Sequence, residues 1–152
     1  MLKQGSLTPK SRWKIALVTA RFNHEITEKL ESGAYEELLK IGLTPEQVLR
    51  VRVPGAVEIP LTAQSLLDAD YDAVIALGAV IQGETKHFDY VCQSVERGCM
   101  QVMLESKKPV VFGVLTTDNE EQALDRTGGR HGHKGRDAAQ TAVEMLDLMD
   151  QI

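Results

Sequence analysis

The segment Gly78-Ala-Val-Ile-Gln-Gly-Glu-Thr-Lys-His87-Phe-Asp-Tyr90 concentrates the residue types best suited to chemistry in this sequence. Two glycines, a hydroxyl and a histidine stand between an apolar run and the start of a helical stretch. Helix-start amides with a hydroxyl make a seat for phosphate, because unpaired N–H groups and the helix dipole both favour an anion. A histidine beside such a seat can give and take protons at neutral pH, since imidazole ordinarily titrates near ~6.5. By composition alone a histidine at a helix start is more often a cap or a surface residue; the glycine-rich loop around His87 is what sets it apart.

Other residues can serve the same chemistry. Phe22 directly follows an apolar run and offers an aromatic face for stacking on a flat heterocycle, or else a plug for the end of a sheet. Glu58 begins a helix, where a carboxylate complements the dipole and can also accept hydrogen bonds from sugar hydroxyls. Arg126, Arg130, Lys134 and Arg136 are interspersed with Gly128, Gly129, Gly132 and Gly135. A guanidinium there can hold a dianionic phosphate with two parallel hydrogen bonds. An RNA-contacting loop is the alternative, but the stretch lacks interleaved aromatics and the chain is acidic, with a net charge of −5. The pair His131 and His133 lacks a convincing third metal ligand and reads as a polar loop. The sequence contains no G-x-G-x-x-G, Walker loop, G-x-S-x-G or H-E-x-x-H, so neither a nucleotide cofactor nor catalytic zinc is signalled.

These residues need a scaffold, and the periodicity supplies one. Lys14 to Thr19, Val48 to Val53, Asp72 to Leu77 and Val110 to Val114 read as strands covered on both faces. Between them lie helices from Asn23, the expected cap, to before Gly42, from Pro60 to about Ala69, and from about Phe88 to Ser106. A short helix from Asn119 to Asp125 and a final one from Arg136 to Leu148 complete the chain. Alternating strand and helix implies right-handed crossovers, a parallel sheet with helices on both faces, and ligands beyond the carboxyl ends of the strands. Phe22, the turn from Gly55 to Glu58, the Gly78 to His87 loop and Thr116 should then share one rim.

A length of 152 residues suits one domain. The first twelve residues carry no apolar core of the kind a secretory signal needs, and no apolar stretch approaches a membrane span. The expectation is a cytoplasmic protein with no membrane or nucleic-acid partner. Cys92 and Cys99, seven residues apart on one helix, are separated by about 10 Å along its axis and read as free thiols. The same helix carries Val91, Val95 and Val102 on one side and Cys92, Cys99 and Met103 on another, which suggests a second apolar stripe meeting another subunit.

From about Trp13 onward the sequence resembles the 6,7-dimethyl-8-ribityllumazine synthases. The resemblance rests on ARFN at Ala20 to Asn23, VRVPGAVEIP at Val51 to Pro60, GAVIQGETKHFDYV at Gly78 to Val91, KPVVFGVLT at Lys108 to Thr116 and RTGGRHGHKG at Arg126 to Gly135. It implies a three-layer α/β/α sandwich, flavodoxin-like, with a mainly parallel four-stranded sheet. Residues 1–12 would form an arm pairing as an edge strand with a neighbouring subunit, and residues 13–152 a single domain. The implied activity is that of a cofactor-free transferase joining 5-amino-6-(D-ribitylamino)uracil to 3,4-dihydroxy-2-butanone 4-phosphate, with release of phosphate and water.

By this likeness His87 shuttles protons and Phe22 stacks on the pyrimidine. Ala56, Val57 and Glu58 hold the ribityl chain, Ala79, Val80 and Ile81 line the ring pocket, and Glu84 and Thr85 seat the phosphate. Phe112, Arg126 and Lys134 complete the pocket from a neighbour. The implied partners are these two substrates, further copies of the chain as a pentamer or a shell of twelve pentamers, and riboflavin synthase. Three positions depart from the pattern: Gln82 where arginine is usual, Val57 where a bulky aromatic is frequent, and His133 where asparagine is common. A non-catalytic binder of ribityl compounds and a flavodoxin-like regulatory or electron-transfer module are the competing readings.

Overall fold

A computed structural model describes residues 1–152. Four runs rich in β-branched and apolar residues form the sheet: β1 (Ile15–Ala20), β2 (Val48–Val53), β3 (Ala73–Ile81) and β4 (Val110–Thr117). They are all parallel, in the order β2-β1-β3-β4. The central position of β1 explains its nearly unbroken apolar sequence, since all six of its residues are buried.

Helices α1 (His24–Ile41), α2 (Ile59–Asp68), α3 (His87–Ser106), α4 (Glu120–Asp125) and α5 (Lys134–Gln151) complete the three layers. Alternation along each strand divides the core in two. Ile15, Leu17, Ile75 and Leu77 pack beneath α1 and α5, whereas Ala16, Val18, Val74 and Ala76 pack beneath α2 and α3. No helix is long and apolar enough to cross a membrane.

The connections run from β1 outward to β2, and from β3 outward the other way to β4. A crevice therefore opens between the carboxyl ends of β1 and β3, the position where open α/β sheets bind ligands. Strand β3 is longer than the sequence predicts. Its pairing with β1 ends at Leu77, but the ladder with β4 continues through Gly78–Val114 to Ile81–Thr117. Gly78 reads as a strand end in the sequence; here it stands inside β3, paired with Val114. The two-stranded extension carries Ala79, Val80 and Ile81 past the end of β1.

Asn23 occupies the N-cap position of α1 but does not cap it with its side chain. Its backbone is left-handed (φ 59°), a conformation asparagine tolerates, and its carboxamide Nδ2 instead donates to the Ala79 carbonyl at 2.8 Å. That hydrogen bond ties the end of β1 to the extension of β3 across the crevice.

Helix α3 buries one broad stripe. Val95, Cys99 and Val102 are buried, and Val91 and Met103 pack beside them, so the two stripes expected from sequence merge on the sheet side. The apolar residues left without a partner are instead Met100 and Leu104, the latter 66% exposed. Both cysteines are unpaired, and burial pushes the Cys99 thiol up to about 11. Residues 1–12 form no strand within the chain. They lie along α5, where the Ser6 amide donates to Asp147 at 2.9 Å and Lys10 pairs with Asp150 at 2.7 Å.

Candidate active site

At the crevice the structure gathers most of the residues singled out by sequence. Phe22 follows β1 and stands 72% exposed, a fraction that excludes the plug reading in the isolated chain and leaves the ring free to stack. Pro54 and Gly55 end β2 and lead into a 3₁₀ turn, Ala56–Glu58, which presents a half-exposed Val57 and an exposed Glu58. One Glu58 oxygen accepts from the Gly55 amide at 2.9 Å, fixing the turn, while its side chain makes no cap bond to α2. The other oxygen makes no bond within the protein.

Beyond β3, the Gln82 amide donates to the Thr117 carbonyl at 2.9 Å and ends the ladder. The amides of Gly83, Glu84, Thr85 and Lys86 then donate to no acceptor in the chain, so four N–H groups precede α3 unpaired. The Thr85 hydroxyl accepts from the His87 amide at 3.3 Å, which seats it at the helix start. His87 is the first residue of α3 and is exposed beside this row of donors. An anion fits here for the reason that helix N-termini bind phosphate generally.

Phe112, Arg126 and Lys134 lie elsewhere. With His131 they line a cleft of about 460 Å³ along the outer edge of β4; Thr116, expected on the rim, lines this cleft instead, whereas Phe22, the Gly55–Glu58 turn and the Gly78–His87 loop do not contribute to it. Phe112 pairs in register with Ala76, five residues before Thr117, which sets it roughly 17 Å back from the carboxyl end of the strand. Arg126 is half-buried at the end of α4, where its Nη1 donates to the Gln122 carbonyl at 2.9 Å. The remaining guanidinium nitrogens are free. Within one chain, then, the rim and this basic cleft are separate.

Of the other basic residues, Arg130 is 82% exposed and Arg136 faces Glu36 on α1 at 3.9 Å. His131 belongs to the Arg126 cleft, whereas the His133 ring turns inward against α1, so the two imidazoles do not form a chelate. No group of three or more His, Cys, Asp or Glu side chains is placed to share a metal ion. Sequence reasoning missed the role of Asn23 across the crevice and the place of His131 in the cleft. The only advance signal for either was polarity in a loop.

The model for the family described as 6,7-dimethyl-8-ribityllumazine synthase matches residues 12–150. The chain is 54% identical over 139 residues to the 6,7-dimethyl-8-ribityllumazine synthase of Bdellovibrio bacteriovorus, covering 91% of this chain and 76% of that one. It is 51% identical to the Coxiella burnetii protein of the same name, covering 94% of this chain and 95% of that one. The corresponding Cytophaga hutchinsonii protein is 52% identical, with 93% and 90% covered.

The chain belongs to the 6,7-dimethyl-8-ribityllumazine synthase family. The matched residues, 12–150, include both the rim and the basic cleft. The family pattern also makes sense of one departure. His133, where asparagine is common, is the N-cap of α5, and its Nδ1 accepts from the Arg136 amide at 3.3 Å, a bond an asparagine oxygen can also make. Nothing in the structure explains Gln82.

Proposed function

We propose that the chain is a 6,7-dimethyl-8-ribityllumazine synthase whose active site is completed only where two copies meet. The observation that carries this reading is the division of the site: a stacking ring, a proton carrier and open amides on one rim, and the matching cations on a separate edge. The amine of 5-amino-6-(D-ribitylamino)uracil attacks the ketone of 3,4-dihydroxy-2-butanone 4-phosphate, and water leaves as the imine forms. Phosphate is then eliminated, and closure of the second ring releases water again.

Phe22 stacks on the pyrimidine, while Ala56, Val57 and Glu58 hold the ribityl chain, the free Glu58 oxygen accepting from its hydroxyls. Ala79, Val80 and Ile81 form the wall beside the reacting ring. The amides around Glu84 and Thr85 receive the phosphate, and Arg126 of the adjoining copy closes over it, with Phe112 and Lys134 beside it. His87 moves protons at each step. An amine and a ketone react once held together, so orientation supplies most of the acceleration and the transferase needs no cofactor.

The assembly is a pentamer, alone or as twelve pentamers in a shell, in the cytoplasm. Its support is an open apolar cleft of about 800 Å³ between α3 and α5, lined by Met100, Met103, Leu104, Phe112, Met145 and Met149. An exposed apolar surface of this kind beside a half-site is best covered by another copy. The lumazine product passes on to riboflavin synthase.

Mixing the protein with both substrates should give the fluorescent lumazine, and binding without product would replace this reading with that of a ribityl-compound binder. Phe22→Ala is expected to weaken the pyrimidine by about 1–3 kcal/mol if stacking on a base is a fair comparison. Isothermal titration would show it, and an unchanged affinity would return Phe22 to a structural role.

A further inference from the structure

The N-cap of α5 is a histidine held in an unusual cradle. Its ring lies in the space left by Gly33 and Gly135, with Gly128 in ordinary contact. A Cβ on Gly33 of α1 would collide with the imidazole, one on Gly135 would come within 3.1 Å of it, and one on Gly128 within 3.7 Å. The ring is thereby fixed between α1, α5 and the hairpin formed by β5 (Thr127–Gly129) and β6 (Gly132–His133). With Nδ1 accepting from the Arg136 amide, the cap requires that nitrogen to be unprotonated.

The same residue holds the loop that carries Arg126. His133 pairs with Thr127 in the hairpin ladder, and the next amide, that of Lys134, donates to the Arg126 carbonyl at 2.8 Å. The position of Arg126 and Lys134 is therefore coupled to the cap. We propose that His133 is a positioning residue for the phosphate-binding cations, and that its protonation releases the hairpin and weakens binding of the phosphorylated substrate. This inference rests on the proposed role of Arg126.

The charges around the ring define the direction. Lys29 and Glu36 face it from α1, and Arg136 and Asp137 from α5, while the hairpin offers only Thr127 and Gly128. Burial, helped by the Arg136 guanidinium, lowers the His133 pKa below the usual imidazole value, against weaker opposing pulls from its own backbone, Asp137 and the Lys29 backbone. A histidine with a lowered folded pKa supports the native hairpin fully above the unfolded value of about 6.5. That support is lost as pH falls through the folded pKa. On protonation, Nδ1–H would face the Arg136 N–H, donor against donor, beside the positive end of α5.

The test compares wild type, His133→Asn and His133→Ala by steady-state kinetics between pH 7.5 and pH 5.5, varying each substrate in turn. Titration of the substrate phosphate is common to all three and cancels in the ratio. In wild type the KM for the butanone phosphate should rise about five-fold more on acidification than in His133→Asn, the equivalent of the ~1 kcal/mol that such a cap contributes. The KM for the pyrimidine should not differ. His133→Ala should carry the raised KM at every pH, with kcat little altered.

Amide hydrogen exchange of residues 127–134 reads the device without reference to Arg126. Protection should fall at acid pH in wild type and hold in His133→Asn. An equal acid response of KM and exchange in wild type and His133→Asn would overturn the proposal. If instead the exchange difference appears while Arg126→Ala leaves the butanone phosphate KM unchanged, the role given to Arg126 fails, and with it the proposed coupling to substrate binding.

Discussion

His87→Ala is expected to lower kcat by about 10²-fold, the lower end of what a positioned proton carrier contributes. The loss should stop there, because the rim that holds the two reactants does not depend on the imidazole. The His87 side chain is exposed at the first position of α3, and the helix start is seated by the Thr85 hydroxyl on the His87 amide, which alanine retains. Substrate KM values should therefore change little, and substantial activity should remain from orientation alone. A pre-steady-state measurement of lumazine formation would check this. A variant as fast as wild type in the chemical step would remove His87 from the mechanism.

Arg126→Ala should act on binding rather than on chemistry. A charge-assisted hydrogen bond contributes about 1.5–3 kcal/mol, so the KM for the butanone phosphate should rise roughly 10- to 150-fold. The pyrimidine should be nearly unaffected. Loss of the bond to the Gln122 carbonyl is a local cost at the end of α4 and should not alter the fold. Arg126→Lys keeps the charge but not the two-pronged geometry, and should recover only part of the loss. Equal weakening of both substrates would show that Arg126 supports the structure instead of the phosphate.

Much of the scaffold is legible in the sequence because burial on both faces leaves a strong mark. The runs IALVTA and AVIAL have no alternative as central strands, and alternation with helices then fixes a parallel sheet. The ends were less legible. Gly78 resembles a terminator, yet β3 continues through it to Ile81 in a two-stranded ribbon with β4, which itself runs on from Val114 to Thr117, so both strands are longer than the pattern suggests. Asn23 reads as a cap because local spacing cannot reveal a carbonyl brought from β3, fifty-six residues away.

The candidate site was legible in its rim, where Phe22, the turn at Gly55 and the His87 loop all follow strand ends. Its division was visible only through family resemblance. Periodicity assigned Phe112 to a strand but gave no reason to set it apart from the rim; the register with Ala76 does. The two stripes that spacing suggests on α3 merge in the fold, since Val95, Cys99 and Val102 together face the sheet, and the exposed Met100 and Leu104 extend the apolar surface outward from Met103.

The account is tested most directly by complementation between two impaired chains. His87→Ala and Arg126→Ala each damage a different half-site, and in a mixed oligomer some seams join the intact rim of one to the intact cleft of the other. Random mixing at equal amounts by co-expression should place both intact halves at about a quarter of the seams, restoring about a quarter of wild-type turnover at low butanone phosphate. The account predicts that recovery, well above the mean of the two parents. Activity equal to that mean, in oligomers shown to contain both chains, would contradict a site shared between copies.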